Sequence, residues 1–216
     1  MSNALIKMLA RNIGRVLTDE AARSICAAAR ELDTLVEAET IERAKQQACG
    51  DFVFAIERME DILEEIKPLH RAHWDETEAH RHALAFNPNY EEVIRHERAG
   101  RYVLFTLRKD GRLLGNSAMY MSKSAHTQTL IATEDTLYLL PEARIGRTAM
   151  RFVEYVEQVL QEFGTREIDI SVKTLNNAGR FLRLLGYRHV ENGLNKILET
   201  TGEESCVEKK HQNPIH

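Results

Sequence analysis

The chain has little of what staples a fold or carries it through a membrane. Three cysteines, Cys26, Cys49 and Cys206, lie far apart with no C-x-x-C pair, and an odd number leaves no closed disulfide framework. A reducing, cytoplasmic setting is the expectation. No apolar run approaches the roughly 18 residues of a membrane-spanning helix, and the first residues show no contiguous apolar export core. Lys plus Arg number 29 against 33 for Asp plus Glu, a net of -4, so no overall positive field exists to hold nucleic acid. A local patch of Arg180, Arg183 and Arg188 does not change that balance. Three enzyme signatures are missing: G-x-G-x-x-G after a strand, G-x-x-x-x-G-K-[ST], and G-x-S-x-G. With no H-E-x-x-H and no His–Cys cluster either, no metal is expected.

What is present is an ordinary globular composition. The 216 residues are 43% hydrophobic and 29% charged, outside the range where chains stay disordered, and their number suits one domain with an appendage. Residues 3 to 48 read as two helices, with Leu5, Ile6, Leu9, Ile13, Val16 and Leu17 and then Ile25, Ala29, Leu32, Leu35 and Val36 at helical spacing. Gly14 and Gly50 are the natural breaks. Lys7, Arg11 and Arg15 without an acidic residue in the first 18 positions match the composition of a transit peptide, but the helical pattern running on favours an arm. Its apolar stripes need a partner surface, either the main domain or a second copy in a homodimer. The domain organisation is therefore an arm over 1–50, a main domain over 51–199 and a polar, frayed tail over 200–216.

In the main domain, Phe52 to Ile56 is a β-branched and aromatic run, and Met59, Ile62, Leu63, Ile66 and Leu69 resume helical spacing. A helix over Tyr90 to Ala99 is closed by Gly100. Tyr102 to Leu107 and Leu113 to Met121 flank Asp110-Gly111, the residues a tight hairpin turn requires. A strand from Leu130 to Leu140 stops at Pro141, and Met150, Val153, Val156, Val159 and Leu160 mark a long helix ended by Gly164. Glu167 to Val172 alternates as a strand, Asn176 to Leu185 is helical, and Tyr187 to Val190 with Leu194 to Leu198 reads as a closing strand pair around Asn192-Gly193. That order predicts an α/β layer protein, a mixed and mostly antiparallel sheet with helices on both faces.

The chemistry concentrates in Thr133 to Met150, a strand ending at Pro141 and then a turn with two arginines, a glycine and a threonine before a helix. The unpaired N–H groups of a first helical turn and the helix dipole attract an anion, and Gly146 and Ala149 let a phosphate come close. A second stretch, His70 to His82, holds the only Trp and four of the nine His; on a helix His73, Thr77 and His80 share a face, as do Trp74 and Glu78.

The order of elements, the run Leu137 to Arg144 (Leu-Tyr-Leu-Leu-Pro-Glu-Ala-Arg) and the later Leu184-Leu185-Gly186-Tyr187 resemble the GNAT (Gcn5-related N-acetyltransferase) superfamily, especially small bacterial and bacteriophage-encoded members, over roughly residues 51 to 199. In that family a Gln/Arg-x-x-Gly-x-Gly/Ala turn cradles the pyrophosphate of acetyl-coenzyme A. Arg144 takes its first position and Ala149 its last, while Arg147 replaces the middle Gly and Gly146 stands one place early. The resemblance implies cofactor contacts from Leu137, Tyr138, Leu139, Leu140, Arg144, Ile145, Gly146, Arg147, Thr148 and Ala149, with Asn176 or Asn177 as the cofactor-contacting Asn. It implies an N-acetyltransferase in which a primary amine, on a protein or a small molecule, attacks the thioester directly in a ternary complex.

The same resemblance places the oxyanion donor on a backbone N–H around Leu137 to Leu139, where two strands splay. A carboxylate on that strand takes the amine's proton, Glu134 first and Asp135 second; alternation puts them on opposite faces, so one is expected to look into the splay. Leu182 stands where many members carry a Tyr acid, which leaves water, Tyr187 or Tyr155. The acceptor wall is expected from His73, Trp74, Thr77 and His80, the alternative for that stretch being a solvated helix surface with Trp74 as a packing anchor. The other reading is a catalytically reduced GNAT-like scaffold that acts through its helical arm.

Overall fold

The computed structural model describes residues 3–30, 34–78, 84–174 and 176–198. The expectations for His80 and for the tail over 200–216 fall outside them. Element order is α1 (Asn3–Asn12), α2 (Asp19–Arg30), α3 (Ala38–Glu42), β1 (Gln47–Cys49), β2 (Phe52–Ile56), α4 (Leu63–Thr77), α5 (Tyr90–Arg98), β3 (Tyr102–Lys109), β4 (Arg112–Lys123), β5 (Leu130–Leu139), α6 (Thr148–Glu162), β6 (Glu167–Asp169) and α7 (Ala178–Leu184). The six strands form one sheet in chain order, antiparallel except for the parallel pair β5 and β6. This is the expected mixed, mostly antiparallel sheet with helices on both faces.

The hairpin of β3 and β4 turns on Asp110 and Gly111, both at positive φ (50° and 78°), as that dipeptide permits. Tyr102 to Leu107 is buried throughout because alternate side chains meet opposite cores. Val103, Phe105 and Leu107 join Phe54 and the Phe152, Tyr155, Val156, Val159 and Leu160 stripe of α6. Tyr102 and Leu104 join Met59, Ile66 and Leu69 on the α4 side. Asn89 caps α5 by accepting the Glu92 amide at 3.1 Å. A parallel neighbour cannot be reached by a tight turn, so α6 makes the crossover from β5 to β6.

Two stretches differ from their sequence pattern. The helical reading of 3–48 holds for α1 and α2, but Gln47 to Cys49 is a strand on β2, turned by Gly50 at φ 61°. Val36 is buried in the main core, and the Leu35 and Val36 amides donate to the Ala99 and Gly100 carbonyls. Sheet pairing decides here over a weak helical period. The closing strands over Tyr187 to Val190 and Leu194 to Leu198 do not form, and the strand over Glu167 to Val172 is cut to β6. β6 leaves β5 after Asp169, no ladder is left for the last residues to join, and two short strands alone do not hold. Leu194 is 99% exposed as a result. Among the described residues no helix is long and apolar enough to cross a membrane.

Candidate active site

The sheet opens where β5 and β6 part. They pair only through Ile131 to Thr133 with Glu167 to Asp169, and a cavity of about 300 Å³ fills the space beyond. It is lined by Glu134, Asp135 and Leu137 from β5, Ile170 to Lys173 after β6, His73, Thr77 and Glu78 from the end of α4, and Asn176, Ala178 and Leu182 from α7 and its approach. The Leu140 amide donates to the Leu114 carbonyl of β4. Alternation along the strand therefore turns the N–H groups of Leu137 and Leu139 away from β4, toward the opening.

Both candidate carboxylates line this cavity, contrary to the expectation of one. The register of β4 against β5 shifts between Ala118 and Met119, which face Thr136 and Glu134 and pass over Asp135. That extra residue is a β-bulge, which re-aims a side chain that simple alternation would place elsewhere. Asp135 accepts the Tyr102 hydroxyl at 2.9 Å, and burial raises its carboxyl above the usual range. Glu134 is pushed up to about 7, by burial first and the Asp135 charge second, against the opposing effects of the Ser171 main chain and Lys173. A carboxyl near 7 accepts a proton at neutral pH and gives it up again. Glu78, 8% exposed, is paired with Lys173 at 2.7 Å.

The turn after β5 is anion-ready in its main chain. Gly146 sits at φ 55°, and a Cβ there would meet nothing within 4 Å. Arg147 precedes α6 with no side-chain cap, and the Thr148 amide donates to Ile145. Among the described residues, the amides of Gly146, Arg147, Ala149 and Met150 donate to no backbone carbonyl. These unclaimed donors and the helix dipole suit an anion, such as the diphosphate that the family resemblance implies. Arg144 itself is turned back: Nε donates to the Leu139 carbonyl at 2.6 Å, and Nη1 and Nη2 donate to Glu76, each at 2.8 Å.

The remaining expected residues separate. His73 and Thr77 line the cavity, and burial holds the His73 imidazole below its ordinary range. Trp74 instead packs on Phe86, with ring centroids 5.3 Å apart. Tyr138 points to Glu76, Leu139 is in the core, and Leu140 lines a separate dent beside Pro68. Asn176 reaches the cavity while its Oδ1 accepts the Ala178 amide at 3.0 Å. Tyr187 hydrogen-bonds Glu157 on α6, and Tyr155 lies between Phe54 and Phe105; neither lines the cavity. Lys173 and Ser171 escaped the sequence reading, and Glu78 entered it only as sharing a helix face with Trp74, because only the end of α4 and the departure of β6 bring the three together. Among the described residues no cluster of His, Cys, Asp and Glu is arranged for a metal ion.

No protein-family model matches the chain, and no curated protein matches it. Solved structures do. An aminoglycoside acetyltransferase from an uncultured soil metagenomic sample, in complex with trehalose, superposes with a TM-score of 0.55 at 10% identity, over 72% of this chain and 100% of that one. Ribosomal-protein-alanine N-acetyltransferase from Brucella melitensis biovar Abortus 2308 gives 0.53 at 15% identity, over 69% and 99%. A transcriptional regulator from Bacillus halodurans C-125 gives 0.54 at 17%, over 67% and 99%. The chain shares its fold with these structures, two of them acetyltransferases.

Proposed function

We propose that the protein is an N-acetyltransferase that moves an acetyl group from acetyl-coenzyme A to a primary amine by direct attack. The observation that carries this reading is the parting of β5 and β6 over a cavity holding Glu134, with a carboxyl near 7, next to outward-turned amides of Leu137 and Leu139. The fold shared with acetyltransferases acting on aminoglycosides and on a ribosomal protein's alanine supports it.

When bound, acetyl-coenzyme A supplies a thioester carbonyl as the acyl donor. The unclaimed amides at Gly146, Arg147, Ala149 and Met150 would hold its diphosphate, and Asn176 and the β5 main chain would flank its path. Glu134 takes a proton from the attacking ammonium group, which must be neutral to act as a nucleophile. One of the two N–H groups turned away from β4, that of Leu137 or that of Leu139, stabilises the negative charge that develops on the carbonyl oxygen. As the C–N bond forms and the C–S bond breaks, Glu134 returns its proton to the leaving thiolate, since Leu182 offers none and Tyr187 lies elsewhere, and the carboxylate so regenerated takes the second proton, which the new amide nitrogen must lose. Glu78, Glu134 and Asp135 outnumber Lys173, which favours a cationic acceptor.

Calorimetric titration with acetyl-coenzyme A, followed by an acetylation assay on amine panels, tests the reading. Saturable binding and turnover are expected. Absence of both, with self-association that depends on concentration, would replace the transferase with the scaffold reading.

A further inference from the structure

Next to the cavity, one polar cluster joins two segments that the mechanism uses for different substrates. Glu76 lies on α4 immediately before the cavity-lining Thr77, and Arg144 opens the turn before α6. The Glu76 carboxylate accepts both Nη groups of Arg144 and the Tyr138 hydroxyl, each at 2.8 Å. Arg144 also caps the Leu139 carbonyl through Nε and lies 5.1 Å from the centroid of the Tyr138 ring. This two-pronged geometry fixes direction as well as charge. The pair is also accessible, at 39% and 44% side-chain exposure, so water competes with it and its partners can be exchanged at small cost.

Each member faces a better-charged partner during the reaction. Arg144 stands two to six positions from the unclaimed amides that suit a diphosphate, and Glu76 adjoins the wall that meets a cationic amine. We propose that Glu76 is a positioning residue that holds Arg144 until the diphosphate of the acyl donor arrives, and that Arg144, once released to the phosphate, leaves the Glu76 carboxylate to a cationic acceptor. The inference rests on the N-acetyltransferase reading. Tyr138 remains as a hydrogen-bond donor to Glu76 after the exchange, so the carboxylate is not abandoned between partners. Donor and acceptor then bind with positive coupling, and the coupling is the same in either order of addition.

Calorimetry with coenzyme A and the diamine cadaverine as probes reads this directly, without turnover. In the unaltered protein, saturating coenzyme A should tighten cadaverine about tenfold. Glu76→Gln should bind coenzyme A about fivefold more tightly, because Arg144 is no longer held, and should lose the coupling. Glu76→Asp, which keeps the charge, should retain it. A merely structural role predicts that Glu76→Gln lowers Tm and weakens coenzyme A, and that result overturns the inference, as does an uncoupled or absent response to cadaverine in the unaltered protein. Failure of the unaltered protein to bind coenzyme A at all sinks the acetyltransferase reading itself.

Discussion

At the scale of single residues, Glu134 is where activity and stability pull apart. Its carboxyl titrates at about 7 in the fold against an ordinary value of 4.5, so the folded chain keeps a proton that the unfolded chain releases. Stability contributed by this group is therefore lost as pH rises from 4.5 through 7, and the loss is complete above 7. Glu134→Gln cannot ionise. It should raise Tm by a few degrees at pH 8, leave Tm unchanged at pH 4, and cut turnover by roughly 100-fold. On the proposed role of Glu134 as base, kcat/KM of the unaltered protein should climb with pH up to about 7 and level off above it; a profile that Glu134→Gln leaves in place would move the role to Asp135 or water. Gly146 gives a second test. A Cβ there touches no other part of the chain, so Gly146→Ala should cost only the strain of a positive φ, about 1 kcal/mol, and weaken coenzyme A binding by crowding the phosphate's approach, while Gly146→Asp sets a carboxylate against phosphate and should abolish that binding in a titration.

At the scale of elements, the close approach of Gly100 to the segment before α3 decides how the arm joins the sheet. A Cβ on Gly100 would stand 1.9 Å from the Val36 carbonyl oxygen, and φ is 60°. Gly100→Ala should therefore cost about 3 kcal/mol or more and detach residues 34–36, read by urea unfolding and by proteolysis between α2 and α3. How well each element could be read follows from how local its cause is. The β3–β4 hairpin is written in two residues, Asp110-Gly111, and α6 in its own apolar stripe, so both were legible. β1 carries only Gln47, Ala48 and Cys49, which have no strand preference, and it exists because β2 offers an edge. The bulge at Asp135 depends on the register of a partner strand, and no pattern within β5 announces it. The last two expected strands failed for the reverse reason: their own residues favour a strand, but β6 ends before offering them a neighbour.

At the scale of the whole molecule, α1 and α2 pack on each other and leave Ile6, Leu9, Ile13, Val16 and Leu17 exposed. Removing residues 1–17 should shift Tm by less than about 2 °C, whereas Val36→Ala, which truncates a buried core side chain, should cost about 2 kcal/mol. If a second copy covers the exposed stripe, the shortened chain should also lose mass in light scattering. The ionisable groups divide in the same way between local and assembled causes. Arg108, 18% exposed in its side chain, is held between Glu57 at 2.7 Å and Glu65 at 2.7 Å, a contact between strands and helix that no spacing in the chain foretells. By itself, the order of residues determined most of the helices, the central hairpin and the anion-suited turn, because apolar period, glycine and proline act over a few neighbours; the two candidate carboxylates came from the family resemblance. Only the tertiary structure decided that both carboxylates open on one cavity, that Arg144 turns back to Glu76, and that Tyr187 stays away from that cavity, because these depend on where strands part and on which distant segments meet there.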